Sequence, residues 1–344
     1  MHSLTDQVLE FARSWGASLL GIATQETLAG GPPSVDLEYV LPGARSAVSI
    51  AVPLNTDYIK AYLAKEDRLS HEQDNLRVNM QVTGIAAYLA RYLEQKGHPS
   101  KGVTSNDAYR EEVPSGRQSM LPDLSHRYLA VRSGVGWFGF SGNVITPRYG
   151  AAVLLSTCVT KAELEPTEPL PADENYCDRC GLCLAACCSA LMDPKEETRV
   201  ALGGMDFSYA RRRNYLRCEL VCGGPTGLPT SGRWSTWSPG RFLIPEDDPA
   251  FREVMIRGMR AYNRRPPMEG GYPHILMRSK LYLTCGNCQL LCRPDPAERK
   301  ELFKLLTHSG CVIQHPDGRL ERVSPEEAES YVAGLGEGAR ALYS

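Results

Sequence analysis

The chain has 344 residues, 42% of them hydrophobic, and a formal net charge of -2, the composition of a folded protein of about two domains with no bulk positive charge for gripping a nucleic-acid backbone. No apolar run reaches the roughly 18 residues of a transmembrane helix. The N-terminal stretch MHSLTDQVLEFARSWG has neither the charged-then-apolar pattern of a secretory signal nor a twin arginine, so a cytoplasmic location is expected.

The chain opens with an amphipathic helix that carries Leu4, Val8, Phe11 and Trp15 on one face and stops at Gly16. Residues 19–23 and 47–52 are short apolar runs bounded by glycine and proline, as expected of buried strands. A long helix follows with Val78, Val82, Ile85, Leu89 and Leu93 along one stripe, ending at Gly97 with Pro99 just beyond. Another helix is expected to open at Pro122 and Asp123, with Asp123 as its cap, and to run to Gly134. Residues 151–159 read as a further buried strand. Residues 1–165 are therefore expected to form an α/β domain with helices packed on a sheet.

An acidic, proline-containing linker, residues 161–174, leads into a cysteine-rich part. Cys177, Cys180, Cys183 and Cys187 are spaced C-x2-C-x2-C-x3-C, and Cys285, Cys288 and Cys292 are spaced C-x2-C-x3-C. The first run is the bacterial ferredoxin spacing, in which three thiolates hold one [4Fe-4S] cube and the fourth crosses to a second cube. Cluster one is assigned to Cys177, Cys180, Cys183 and Cys292. Cluster two takes Cys187, Cys285, Cys288 and one more cysteine, with Cys218 and Cys222 of RCELVCGG as the candidates. Zinc would use two cysteine pairs, or pairs with histidine, and would not need the third and fourth cysteines. A disulfide framework is disfavoured in a chain this large without a secretory signal.

Between the two runs lies a long Gly- and Pro-rich stretch, residues 223–271, with Trp234, Trp237 and one helical piece at 251–262. A stretch of this length reads as a functional lid or a structural wrap around the clusters. Arg211, Arg212 and Arg213 read as a solvated patch or a partner contact. Residues 311–323 read as a hairpin around Pro316-Asp317-Gly318, and Ser324, Pro325 and Glu327 as the capping box of a last helix. The segments are thus 1–165, 166–310 with its insertion, and a tail at 311–344.

At SGVGWFGFSGNVITPRYGAAVLL the chain resembles the cobalamin-dependent iron-sulfur reductases, meaning epoxyqueuosine reductase and the reductive dehalogenases. LPGARSAVSIAVPL and YLEQKGHPSKGV upstream, and GLCLAAC, RCELVC and CGNCQLLC downstream, extend the likeness over most of residues 1–300. The resemblance implies a nitroreductase-like corrinoid domain followed by a ferredoxin-like module with two [4Fe-4S] clusters, and it selects Cys218 as the eighth ligand. It also implies base-off cobalamin lying against Gly134, Gly136, Trp137, Gly139, Ser141, Gly142 and Asn143. The glycines would let backbone approach a large flat ligand; the alternative is a tight helix-to-strand turn around a core tryptophan.

The chain also departs from that pattern. Where epoxyqueuosine reductases have an aspartate thought to donate a proton, this chain has Met120, and His126 replaces their glutamate six residues on. From this sequence neither the helical-repeat tail that reads tRNA nor the twin-arginine signal of respiratory dehalogenases is expected. The proline expected after each fourth cysteine is Cys188 in one run and is displaced to Pro294 in the other. The expected function is therefore a cobalamin-dependent reductase of a small neutral or anionic molecule entering beneath residues 223–271, loaded by a reduced ferredoxin or flavodoxin, with no tRNA partner. His126, Tyr128, Asp123 and Tyr109 are the candidate proton donors. The alternative is an electron-transfer or corrinoid-handling protein without turnover of its own.

Overall fold

The computed structural model describes residues 3–105, 109–110, 120–273 and 280–344. It opens with α1 (Leu4–Ser14), capped by a reciprocal Ser3–Asp6 box, followed by β1 (Leu19–Thr24), the short α2 (Leu37–Val40), β2 (Ser46–Pro53), α3 (Thr56–Leu63), α4 (Leu69–Gln95) and β3 (Ser100–Val103). Next come α5 (His126–Arg132), β4 (Trp137–Phe138), β5 (Val144–Ile145) and β6 (Val153–Thr160). The main sheet runs β1-β2-β6-β3 and every neighbouring pair is antiparallel. Period-two alternation sorts β2: Val48, Ile50 and Val52 join the core beneath α4, while Ala47 and Ala51 face the side covered by α5. The α4 stripe read from sequence, Val78 to Leu93, is buried in that core.

The helix expected from Pro122 to Gly134 is shorter. Ser125, not Asp123, is its cap, accepting the Tyr128 N–H, and the helix ends at Arg132. Pro122 instead forms a β-bridge with Tyr109, and a bend at 123–124 precedes the helix.

The second half begins with α6 (Leu182–Ala185), then a hairpin of β7 (Met192–Leu202) and β8 (Met205–Arg212), then α7 (Leu216–Cys222), α8 (Asp248–Tyr262), α9 (Asn287–Leu290) and α10 (Pro296–Thr307). The predicted tail hairpin is β9 (Cys311–Gln314) with β10 (Leu320–Val323), and α11 (Pro325–Gly334) has the expected Ser324–Glu327 box. The short helices α6 and α9, one from each cysteine run, pack on each other. One hydrophobic cluster runs from Val8 and Leu89 through Cys285, Leu290 and Leu306, so the two halves share a core. Glu72 of α4 strengthens that junction. It pairs with Arg68 and accepts the N–H groups of Gly271 (2.8 Å) and Leu283 (2.9 Å).

Residues 223–271 are a wrap. Trp234 and Trp237 are buried, and the Trp237 indole donates to the carbonyl of Tyr62 at 2.9 Å. Among the described residues no helix is long and apolar enough to cross a membrane.

Candidate active site

A cavity of about 540 Å³ opens where α5, β6 and the end of β8 meet. Its walls include His126, Arg127 and Tyr128 from the first turn of α5, Val153 to Leu155 from β6, Tyr209 and Arg212 from β8, and Tyr215, Asn143 and Gln289. Met120, at the position of the family's aspartate, lies in the wall with a left-handed φ of 53°. No residue of 223–271 lines the cavity, so the expected entry beneath that stretch is replaced by one beside the β7–β8 hairpin.

The wall is cationic. The Arg127 guanidinium donates to the carbonyl of Gly142 (2.5 Å) and to the Tyr215 hydroxyl (3.1 Å). Arg212 donates to the carbonyl of Ser141 (3.0 Å) and to Asn143 Oδ1 (2.8 Å). Among the described residues neither arginine pairs with a carboxylate. Burial works to raise the Tyr215 phenol, but Arg127 and Arg212 beside it favour the phenolate and bring it net below its ordinary value. Tyr128 is the opposite case: burial, and a 2.7 Å hydrogen bond between its hydroxyl and that of Tyr209, push it well up.

His126 is half-buried with both ring nitrogens engaged. Nε2 faces the Thr104 carbonyl at 2.7 Å and so carries the proton, while Nδ1 accepts from the Thr157 hydroxyl at 2.7 Å. Burial holds the ring neutral, with its pKa lowered to about 4. Asp123 and Tyr109 are outside the cavity wall. Asp123 offers its backbone carbonyl to Arg110 at 3.2 Å.

The cysteines gather into two groups. The Cys183 thiol is raised to about 11 by burial and by its neighbours Cys177 and Cys180. Cys292 is raised to about 12 by burial and by Cys177, Cys183 and Cys180. Cys288 is pushed up by burial and by Cys218, Cys187 and Cys285, and Cys187 neighbours Cys218. Backbone N–H groups point at these sulfurs. Phe140 donates to Cys177 at 3.2 Å, and Gly286 and Asn287 donate to Cys285. Such donors stabilise cluster thiolates and tune their potential. The thiol donor set therefore fits iron-sulfur ligation. The groups differ in access, since Cys180 is exposed whereas Cys285 is buried. Cys158 and Cys311 lie in β6 and β9, apart from both groups.

Asn143 joins the second group to the cavity. It lines the wall, and its Nδ2 donates to Cys288 Sγ at 3.6 Å. Gln289, the next residue after Cys288, lines the same wall.

The glycine-tryptophan stretch acts mostly elsewhere. Trp137 is buried, donates to the Pro171 carbonyl at 2.8 Å and packs with Tyr176, Cys177 and Cys292, on the side of the first cysteine group. A Cβ on Gly136 would stand 2.5 Å from the Ile145 carbonyl, so that glycine serves the β4–β5 pair and not a ligand. Gly134 and Gly139 are likewise crowded by the chain itself, at Glu168 and Ile145. Asn143 lines the cavity directly, and Ser141 and Gly142 present carbonyls to its two arginines.

No family model matches the chain. An epoxyqueuosine reductase of Gloeobacter violaceus is 29% identical over 195 residues, 56% of this chain and 54% of the relative. One of Bacillus cereus is 29% identical over 158 residues, 44% and 36% of the two chains. The chain is related to the epoxyqueuosine reductases. It spans about half the length of the first of these relatives and less of the second. A reductive dehalogenase whose structure suggested a mechanism for B12-dependent dehalogenation shares the mixed α/β fold, with a TM-score of 0.51 and 14% identity over 98% of this chain and 37% of that one.

These relatives overturn one expectation. The small-molecule substrate and the exclusion of tRNA do not stand, because the curated relatives are epoxyqueuosine reductases, and epoxyqueuosine is a modification carried by tRNA. One such reductase has been solved with an epoxyqueuosine-modified tRNA stem loop; it is 19% identical, with a TM-score of 0.44, over 98% of this chain and 74% of that one. A net charge of -2 for the whole chain says little about a local surface, and the two unpaired guanidiniums in the cavity wall show why.

Sequence reading missed Arg127, Tyr209, Arg212 and Tyr215. The hairpin that carries Tyr209 and Arg212 starts in the charge-rich MDPKEETRVAL, which lacks strand alternation. The reading of Arg211 to Arg213 as one solvated patch is corrected. Arg211 pairs with Asp193 and Glu196 and Arg213 with Asp193 and Glu246, while Arg212 turns inward.

Proposed function

We propose that the chain is a cobalamin- and iron-sulfur-dependent reductase acting on a modified nucleoside carried by tRNA. In this reading residues 1–165 form a nitroreductase-like corrinoid domain and residues 166–310 a ferredoxin-like module with two [4Fe-4S] clusters. The observation that carries it is the Asn143 junction, where one side chain both lines the cavity and donates to a cysteine of the second group. Cobalamin, when bound there, supplies a cobalt centre able to reduce a bond that amino-acid side chains cannot.

The chain's own residues support that chemistry. Arg127 and Arg212 suit a phosphate, on the corrinoid's nucleotide tail or on RNA. A base-off corrinoid is what the family resemblance implies, and His126, with both ring nitrogens engaged, would not be free to ligate cobalt. It is also a poor acid, since it is already neutral. Tyr215 is the better proton donor. Its phenol lines the cavity and has two guanidiniums to stabilise the phenolate left when it donates its proton. With clusters bound, the group holding the exposed Cys180 would be the one reachable by an electron donor, and the group holding Cys288 the one beside the cavity.

The test is anaerobic turnover of epoxyqueuosine-containing tRNA stem loop by reconstituted protein with dithionite, with and without cobalamin. Cobalamin-dependent loss of the epoxide is expected. Cobalamin binding without turnover would leave a corrinoid-handling protein, and epoxide loss without cobalamin would refute the cofactor.

A further inference from the structure

Cluster two has five thiols at hand for four positions, besides Cys188, which is buried beside Cys187 and Cys285. Cys187, Cys285 and Cys288 come from the two runs, and α7 brings both Cys218 and Cys222. Their i,i+4 spacing puts both side chains on one helix face, with the two sulfurs 3.5 Å apart. Cys218 neighbours Cys187 and Cys288, and Cys222 is hydrogen-bonded to Cys285 as well as to Cys218. The end of α7 is also tied to the second run. Thr284, next to Cys285, donates its N–H to the Cys222 carbonyl at 3.0 Å and its hydroxyl to the Val221 carbonyl at 2.6 Å. A spare buried cysteine ordinarily packs among apolar groups as a small hydrophobe. Cys222 packs against the core and also has its sulfur between two thiols.

We propose that Cys218 and Cys222 are interchangeable ligands of cluster two, so that α7 holds the cluster through either sulfur. The inference rests on the two-cluster reading above. In the exchange one iron–sulfur bond breaks and another forms. The incoming thiol gives up its proton, the departing thiolate takes one up, and no electron moves. Cys218 would hold the cluster beside Cys187 and Cys288, and Cys222 would hold it beside Cys285.

The test compares Cys218→Ser, Cys222→Ser and the double variant after anaerobic reconstitution, by iron and sulfide content and by electron paramagnetic resonance of the reduced protein. Each single variant should hold about eight iron per chain, as the wild type does, and the double variant about four. The cluster-two signal should change shape in Cys218→Ser. If either single variant alone falls to about four, that cysteine is the sole ligand and the exchange is refuted; about eight in the double variant refutes any α7 ligand. Cys158→Ser, in the core of β6, controls for loss through misfolding and should keep both clusters. If the wild type itself holds fewer than about eight iron, the two-cluster reading fails, and the exchange with it.

Discussion

Gly142 is where the cavity wall is most sensitive to a single methyl group. Its φ is +74°, and a Cβ there would stand 2.6 Å from Tyr209 Cδ2 and 3.0 Å from Arg212 Nε. Alanine would meet two costs, about 1–2 kcal/mol for the left-handed backbone and about 1–3 kcal/mol for the overlap. Gly204, in the turn between β7 and β8, isolates the first cost, since its φ is +78° with nothing within 4 Å of a Cβ. Gly204→Ala should therefore destabilise by about 1–2 kcal/mol and Gly142→Ala by about 2–5 kcal/mol. At about 2 °C per kcal/mol these become losses of about 2–4 °C and about 4–10 °C in the thermal midpoint. The assay is anaerobic thermal unfolding of the cluster-free proteins followed by tryptophan fluorescence. Gly142→Ala should also drive the Tyr209 ring from its hydrogen bond with Tyr128 and weaken cobalamin retention, whereas Gly204→Ala should not. Equal midpoints for the two variants would mean that Tyr209 yields at no cost, and the rigid wall assumed here would be wrong.

Tyr215→Phe should lower turnover by about 10²–10⁴-fold, the range for loss of a general acid, with clusters and cobalamin retained. In the wild type the rate should fall as pH rises through the Tyr215 pKa, because the phenol must hold its proton to donate it, and this alkaline limb should be absent in the phenylalanine variant; an unchanged limb assigns it to another group. His71 and His126 are both held neutral by burial, with pKa values lowered to about 4. The unfolded chain binds protons at these sites below its ordinary value of about 6.5 while the folded chain does not, so stability should decline as pH falls from about 6.5 to about 4 and level off below. The loss is about 2–3 kcal/mol for each histidine, to be read from urea midpoints, and His71→Gln with His126→Gln should flatten it. Cys187→Ser should disturb the cluster held by Cys285 and Cys288 and leave that of Cys177 intact; the reverse pattern in the resonance spectrum would break the crossover assignment.

The strands around Ile22, Ile50 and Leu154 and the α4 stripe were legible because burial on a sheet or a helix imposes a period that apolar residues must follow. The gathering of the cysteines was legible for a related reason, since cluster ligation fixes spacing along the chain. The cavity was not. Tyr209 and Arg212 reach it from a hairpin whose first strand is rich in charge, and Arg127 is one helical residue among many until Gly142 and Tyr215 are brought to it. Trp137 illustrates the opposite error: a tryptophan among glycines reads as a ligand platform, yet its indole is committed to Pro171 and to packing beside Cys177 and Cys292. The cap expected at Asp123 falls two residues later because the bridge between Tyr109 and Pro122, a tertiary contact, delays the helix to Ser125.

The proposed chemistry requires a corrinoid seated beside the second cysteine group. Anaerobic equilibrium dialysis of the reconstituted protein against hydroxocobalamin and a reductant, read by cobalt content and by absorbance, tests it most directly. The wild type should retain about one cobalamin per chain, the saturation of a single site, and Arg212→Glu, which reverses the charge at the wall, should lose it while its iron content stays unchanged. Failure of the wild type to retain cobalt, or equal retention by both proteins, would contradict the site described here.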